Sequence, residues 1–526
     1  MVDSNQFDVV ILGGAFSGAA AAILLRREFP QLRVLIVEKA EAFDAKVGEA
    51  TTEMSAMFLT RRLAMWEHLE REHLPKEGLR YWFSNERVSS HSSASEGGGF
   101  LRSAVPAFQL RRDVLDEHLL ATAVAEGAEL LRPAKAKEVI LGDFDHEVTV
   151  ENGEATQSIR CRWLLDATGR VTFLGRRLNL IDRNEDHPTA AIWCRWKNVR
   201  HIDDLAARDP DGLSAGNIGS RRLATNHYMG FGFWIWVIPL GNGETSIGVV
   251  FDRRLVSLHE SRDRPSDFVR FLRDIPALNE LLQGAEMREE DLRFYSYLPY
   301  VTRQYMGPGW ALLGDAAAFL DPYYSPGLDH AAFSVEATVE IIGMDVAKKD
   351  LGARITEHNE TFIRSYHRFF DAAYRDKYFY MGEFDLLCAS FLIDTAQYYI
   401  FVVIPAYRFM KKFFWMPVLG PRPAFLSFKM MSLYNRRFKK IALARRAAGE
   451  AGLRNDGRRI KAYYNLNVAP IRMAARGLKL WLFAELDMIR LSVARAFGRN
   501  QSRESREPSE GPRSAKPVGE HLSGSP

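Results

Sequence analysis

Cysteine is scarce, with only Cys161, Cys194 and Cys388 among 526 residues. They form no C-x-x-C and no paired spacing, which argues against a disulfide framework and a zinc site and favours a reducing, cytosolic setting. The N-terminus lacks a basic segment, a short apolar region and a small-residue cleavage site, so no secretory signal is expected. No uncharged apolar run reaches the roughly 18 residues of a membrane span. The longest candidate, around Tyr398 to Tyr407, is too short. No recognition motif accompanies the basic residues, which argues against nucleic acid as a partner.

What is present is the composition of a folded chain, 47% hydrophobic and 26% charged, long enough for two or three modules. The net charge of +4 hides an asymmetry: residues 401–500 carry 21 Lys or Arg against 4 Asp or Glu, an excess of 17 that leaves the remainder at −13. Aromatic and aliphatic residues alternate with cations in "YYIFVVIPAYRFMKKFFWMPVLG". Such a surface fits an anionic membrane, met peripherally through residues 398–445, or an acidic carrier protein. Helices packed on the body of the protein with a solvated basic face fit it equally.

The pattern along the chain predicts an α/β fold. "FDVVILGGAFSGAAAAILLRR" reads as a buried strand, a glycine turn and an alanine-rich helix, and "LRVLIVEK" as a second buried strand ending in an acid, together one βαβ unit. "GFWIWVIPLGNGETSIGVVF" reads as a hairpin turning at "GNG". We expect a Rossmann-like FAD-binding domain over 1–185, resumed over 301–345 at "GWALLGDAAAF". An inserted, mainly antiparallel substrate-side sheet is expected over 186–300, a basic helical region over 346–498 and a disordered tail over 499–526.

The glycine turn is the first chemical signal. Gly13, Gly14 and Gly18 leave the bend and the helix N-terminus open to a pyrophosphate, and Glu38 ends the second strand where a ribose would be bonded. Ala15 stands where the strict pattern has glycine. Three further stretches resemble the FAD-dependent monooxygenases and their relatives. In "RRDVLDEHLL" the resemblance assigns Arg112 to the FAD phosphates, with Asp116 completing the motif; "DATGR" supplies Asp166 and Gly169, and "GDAAAF" supplies Asp315 for the ribityl chain.

The resemblance narrows at "WIWVIP", which is similar to the W-x-W-x-I-P signature of flavin-dependent halogenases through Trp234, Trp236, Ile238 and Pro239. "FLDPYYSPG" resembles their F-x-x-P-x-x-S-x-G pattern through Phe319, Pro322, Ser325 and Gly327, and "VGEAT", with Glu49 and Ala50, resembles the strap along the flavin. "DATGRVTFLGRRL" is similar to the branch acting on phenols and pyrroles. The resemblance implies reduced FAD from a separate flavin reductase, oxygen, a halide ion, and a small aromatic substrate, free or bound to an acyl or peptidyl carrier protein. It implies that Trp234 and Trp236 keep the organic substrate from the flavin, and that halide rests against backbone amides near Ser325, Gly327 and Leu328. Lys76, in "LPKEGLRYWF", is the implied catalytic lysine that handles hypohalous acid; a lysine desolvated among aromatics would have a lowered pKa.

Two residues depart from the pattern. Pro326 has no N–H to offer an anion, and Tyr324 stands where the tryptophan halogenases carry a glutamate. The second departure points to an electron-rich ring, a phenol or pyrrole. Three readings stay open: the halogenase, an FAD-dependent monooxygenase or reductase acting on an aromatic or lipid-like substrate, and a silent FAD-binding protein. Asp329 and His330 suggest acid–base work or, at the start of a helix, cap and packing, and the second reading is favoured.

Overall fold

The computed structural model describes residues 5–99, 103–206, 220–258, 265–409, 425–462 and 466–504. Its first sheet is built around the strand Gln6–Leu12, which lies parallel between Val34–Val37 and Ala155–Asp166. Val9, Val10 and Ile11 are fully buried, as a strand covered on both faces requires. Leu12 runs into Gly13, whose φ of +98° is left-handed; a Cβ there would fall 2.6 Å from the carbonyl oxygen of Ala167. The helix Phe16–Glu28 then packs through Ala19–Ala22, all buried. Gly18 permits that approach, since a Cβ on it would sit 1.8 Å from the carbonyl oxygen of Gly13. The chain returns to this sheet at Trp310–Leu312, parallel to Ala155–Asp166, as the run "GWALLGD" leads one to expect.

A second sheet carries the strand Phe233–Pro239 between Thr225–Gly230 and Thr245–Asp252, both antiparallel to it. Thr189–Lys197 follows on the far side of Thr245–Asp252. Three of its strands come from outside residues 186–300. Leu79–Phe83 and Ser95–Gly99 extend the sheet beyond Thr225–Gly230, and Arg459–Ala462, from the region expected to be helical, pairs parallel with Ser95–Gly99. The sequence "SEGGG" has little β propensity and conceals its strand. Its glycines are required by packing: a Cβ on Gly98 would lie 2.2 Å from the carbonyl oxygen of Leu79.

Helices supply most of the rest of the C-terminal region. Phe384–Arg408 is the one helix among the described residues long and apolar enough to cross a membrane, but 72% of its apolar window is buried in the protein, where it packs against Ala469–Glu504. Ala469–Glu504 runs on into the stretch expected to be a disordered tail; residues 505–526 lie outside the described ones, as do 410–424 of the segment expected to meet a membrane.

Because side chains two apart on a strand share a face, Trp234 and Trp236 point the same way, opposite Val250 and Gly248 of the neighbouring strand. Gly248 is what admits the second indole. A Cβ there would lie 2.3 Å from the Trp236 ring and 2.5 Å from Cβ of Trp193. Gly248→Ala should therefore lower stability by about 1–3 kcal/mol through overpacking, read as a fall in the urea midpoint with an unchanged slope.

Candidate active site

One cavity of about 980 Å³ reaches from the glycine turn to the C-terminal helices. That volume is at the upper end of the ~300–1,000 Å³ of small-molecule sites. Gly13, Ala15 and Glu38 line one end. The helix Phe16–Glu28 has no side-chain cap, so its first-turn N–H groups are available to a pyrophosphate. Glu38 is buried and fixed by N–H donation from Gly14 (2.7 Å) and Ala40 (2.8 Å). Gly14 and Gly18 serve the bend and the packing of the turn and do not line the cavity.

Arg112 stands opposite, its guanidinium held by both carboxylate oxygens of Asp116 at 3.1 Å, which Lys46 also meets at 2.6 Å. Gly48 is the glycine this requires: its φ is +93°, and a Cβ would lie 2.4 Å from Nη1 of Arg112. Gly169 lines the cavity, whereas Asp166 does not. The Asp166 carboxylate accepts from the N–H and hydroxyl of Thr168 and from the N–H of Leu174, and so holds the loop after the strand rather than a cofactor. Asp315 does line the cavity, and no hydrogen bond to its carboxylate is found among the described residues. Burial pushes its pKa up while Arg170 and Arg112 oppose the rise, a state suited to bonding the hydroxyls of a ribityl chain.

The strap lies along the middle of the cavity. Ala50 lines it, as does Glu49, whose carboxylate turns away to a buried pair with Arg195 (2.7 Å) that Asp291 shares (2.8 Å). Lys76 meets the strap here, donating from Nζ to the carbonyl oxygen of Thr51 at 2.7 Å. Its side chain is buried, and desolvation lowers its pKa to about 8 against the opposing pull of Glu53 and Asp329. His227, also on the cavity wall, is kept neutral by burial and by the Lys76 charge, its pKa lowered to about 3.

Trp234 and Trp236 are both buried and both line the cavity. Each indole N–H is fixed: Trp234 donates to the Tyr378 hydroxyl at 2.9 Å, which donates to Asp321, and Trp236 donates to Ser246 at 3.1 Å. Pro239 only closes their strand and lies outside the lining. Pro322, Ser325, Gly327 and Leu328 line the cavity next to them. Tyr324 and Ser325 take left-handed φ values of +65° and +55°, a costly pair in non-glycine residues and a mark of a functional turn. The Ser325 N–H is engaged by the carbonyl of Pro322 at 2.9 Å and Pro326 has none, so of the backbone N–H groups at 325–328 those of Gly327 and Leu328 remain. A Cβ on Gly327 would meet nothing within 4 Å.

Some of the lining departs from the sequence reading or gave no signal in it. Asp329 does not cap its own helix; its carboxylate accepts from the Thr52 hydroxyl (2.6 Å) and the Ser55 N–H (3.0 Å), joining that helix to the strap, and burial raises its pKa to about 6. Glu53 accepts from the Tyr399 hydroxyl at 2.6 Å through Oε1, with no hydrogen bond to Oε2 found among the described residues. Tyr374, Phe391, Tyr398, Tyr399 and Val402 wall the far end. The first part of the segment 398–445 is thus turned inward. Tyr324 points its hydroxyl to Asp394 at 2.7 Å, and that carboxylate also holds Lys377 at 2.8 Å.

The family model for tryptophan halogenase matches residues 8–95 and 64–376, and the chain belongs to that family of flavin-dependent enzymes, whose cofactor is FAD. A flavin-dependent halogenase of Dictyostelium discoideum, chlA, is 27% identical over 77% of this chain and 71% of its own length. The 1H-pyrrole-2-carbonyl-[peptidyl-carrier protein] brominase of Pseudoalteromonas luteoviolacea is 26% identical over 63% of this chain and 76% of its own. A crystal structure of halogenase PltM in complex with phloroglucinol and FAD shares the fold with a TM-score of 0.67 at 19% identity, covering 91% of this chain and 96% of that one.

Burial of Lys76 couples its protonation to folding. Its folded pKa of about 8 lies below the ordinary 10.5, so the unfolded chain binds the proton more tightly and stability rises as pH climbs between those values. Urea unfolding across that window should show this rise in the native protein and its loss in Lys76→Met.

Proposed function

We propose that this FAD-dependent halogenase acts in the cytosol on an electron-rich aromatic, a phenol or a pyrrole, free or tethered to a carrier protein, with a separate flavin reductase keeping the cofactor reduced. The observation that carries the reading is the buried Lys76 amine on the same cavity as both indoles and the turn at Tyr324 and Ser325. Bound reduced FAD, with oxygen, supplies the oxidising power that converts halide to hypohalous acid.

The residues divide the remaining work. The N–H groups of Gly327 and Leu328 hold the halide, with the positive end of their helix behind them. Trp234 and Trp236, locked by Tyr378 and Ser246, narrow the passage by bulk and leave a small neutral oxidant as the traveller. Lys76 hydrogen-bonds hypohalous acid beside the ring. As the carbon–halogen bond forms and the halogen–oxygen bond breaks, it gives a proton to the departing hydroxide, which leaves as water. A pKa of about 8 suits that transfer near neutrality. Glu53, its Oε1 tethered by Tyr399, is the carboxylate that then accepts the ring proton.

Mass spectrometry of products formed with reduced FAD, oxygen and bromide tests the reading. A bromine isotope doublet is expected from the native protein and none from Lys76→Ala, which should still bind FAD; gain of a single oxygen would mark a monooxygenase instead. Glu53→Gln should lower the turnover number by about 10²–10⁴-fold, the usual worth of a general base, with little change in KM. An unchanged turnover number would remove Glu53 from the mechanism.

A further inference from the structure

The long helix Ala469–Glu504 is apolar on two opposite sides. Its inner side is ordinary: Met473, Ala484 and Leu491 are buried, and Gly477 lets it approach the helix Phe384–Tyr398 so closely that a Cβ would fall 2.6 Å from Ile393. The outer side carries Ile471, Leu478, Leu482, Leu486, Ile489 and Val493, each between 44% and 65% exposed, with Phe483 beside them at 55%. Steps of three, four and seven residues set them in one stripe about 33 Å long at 1.5 Å per residue. A stripe of this size is not left bare without a use.

Charge selects the occupant. Arg472, Arg476 and Lys479 are exposed beside the stripe. Both acids among the helix residues whose side chains are described are committed elsewhere, Glu485 to Arg437 and Asp487 to Arg445 and Arg454. The neighbouring helix Phe425–Ala447 repeats the arrangement, with Leu426, Leu433 and Leu443 exposed among Lys429, Arg436 and Lys440. A second copy of the chain would set cations against cations, without the opposite charges that fix helix pairs. We propose that the outer faces of these two helices dock the protein on an anionic lipid bilayer, aliphatic side chains in the acyl boundary and cations among the headgroups. Met431, on the same face-bearing helix, lines the cavity, so the bound enzyme would hold its cavity wall close to the lipid.

The test is flotation of the full-length, FAD-loaded protein with vesicles. Binding is expected to phosphatidylglycerol-containing vesicles, to weaken as salt is raised, and to be far weaker on pure phosphatidylcholine. The double variant Leu482→Glu, Phe483→Glu should lose roughly tenfold or more in partitioning while its flavin absorbance stays unchanged, since neither residue lines the cavity. Absence of vesicle binding by the native protein would overturn the proposal. So would a concentration-dependent dimer that the double variant abolishes, or binding only to an acidic carrier protein. Halogenating activity enters none of these readouts, so the proposed chemistry and the docking surface fail separately.

Discussion

A buried amine on the cavity wall is the constraint around which the site is organised. Lys76 is buried on the cavity wall, and among the described residues one backbone carbonyl, that of Thr51, receives its hydrogen bond. Desolvation of an ammonium is expensive, and the protein tolerates it by lowering the pKa and by keeping Glu53 and Asp329 within electrostatic reach. The features that place it are distant in sequence. The carbonyl belongs to the strap, the strap is joined through Thr52 to Asp329 on the helix Gly327–Val346, and that helix begins at the turn of Tyr324 and Ser325. Two hydrogen bonds therefore tie the lysine to the strap and the strap to the helix that follows the turn at Tyr324 and Ser325.

The indoles are held with similar care. Trp236 has room only because residue 248 is glycine, and Trp234 is tethered through Tyr378 to Asp321, a buried aspartate that also meets His187 at 2.8 Å. Rings fixed by hydrogen bonds as well as by packing present a rigid wall, which a passage selective by size needs. The cavity they line is continuous, so the proposed selection by size rests on how far the two rings narrow it.

Much of the architecture was legible from local patterns. The strand, glycine turn, alanine helix and acid at residues 7–38 form one βαβ unit because each step obeys a short-range rule: buried strand, left-handed glycine, close helix packing. The indoles, the strap and Lys76 were readable as motifs, and their convergence on one cavity follows from strands pairing in register. Other parts were hidden for physical reasons. Asp166 shares its motif with cofactor ligands but spends its carboxylate on Thr168 and Leu174. The strand Ser95–Gly99 is written in glycine, and Arg459–Ala462 becomes a strand only by pairing with it across more than three hundred residues. The C-terminal aromatics that wall the cavity read equally as surface and as core, since periodicity does not say which side a neighbour occupies. Glu53 stands out only once Tyr399, remote in the chain, is seen to grip it.

The most direct test of the account is the titration of the Lys76 amine itself, followed by nuclear magnetic resonance of protein carrying isotope-labelled lysine, with the signal assigned by its loss in Lys76→Arg. A midpoint near pH 8 is predicted, well below the ordinary 10.5. An amine that titrates at the ordinary value would be one bathed in water, and would contradict a buried lysine at the centre of the chemistry.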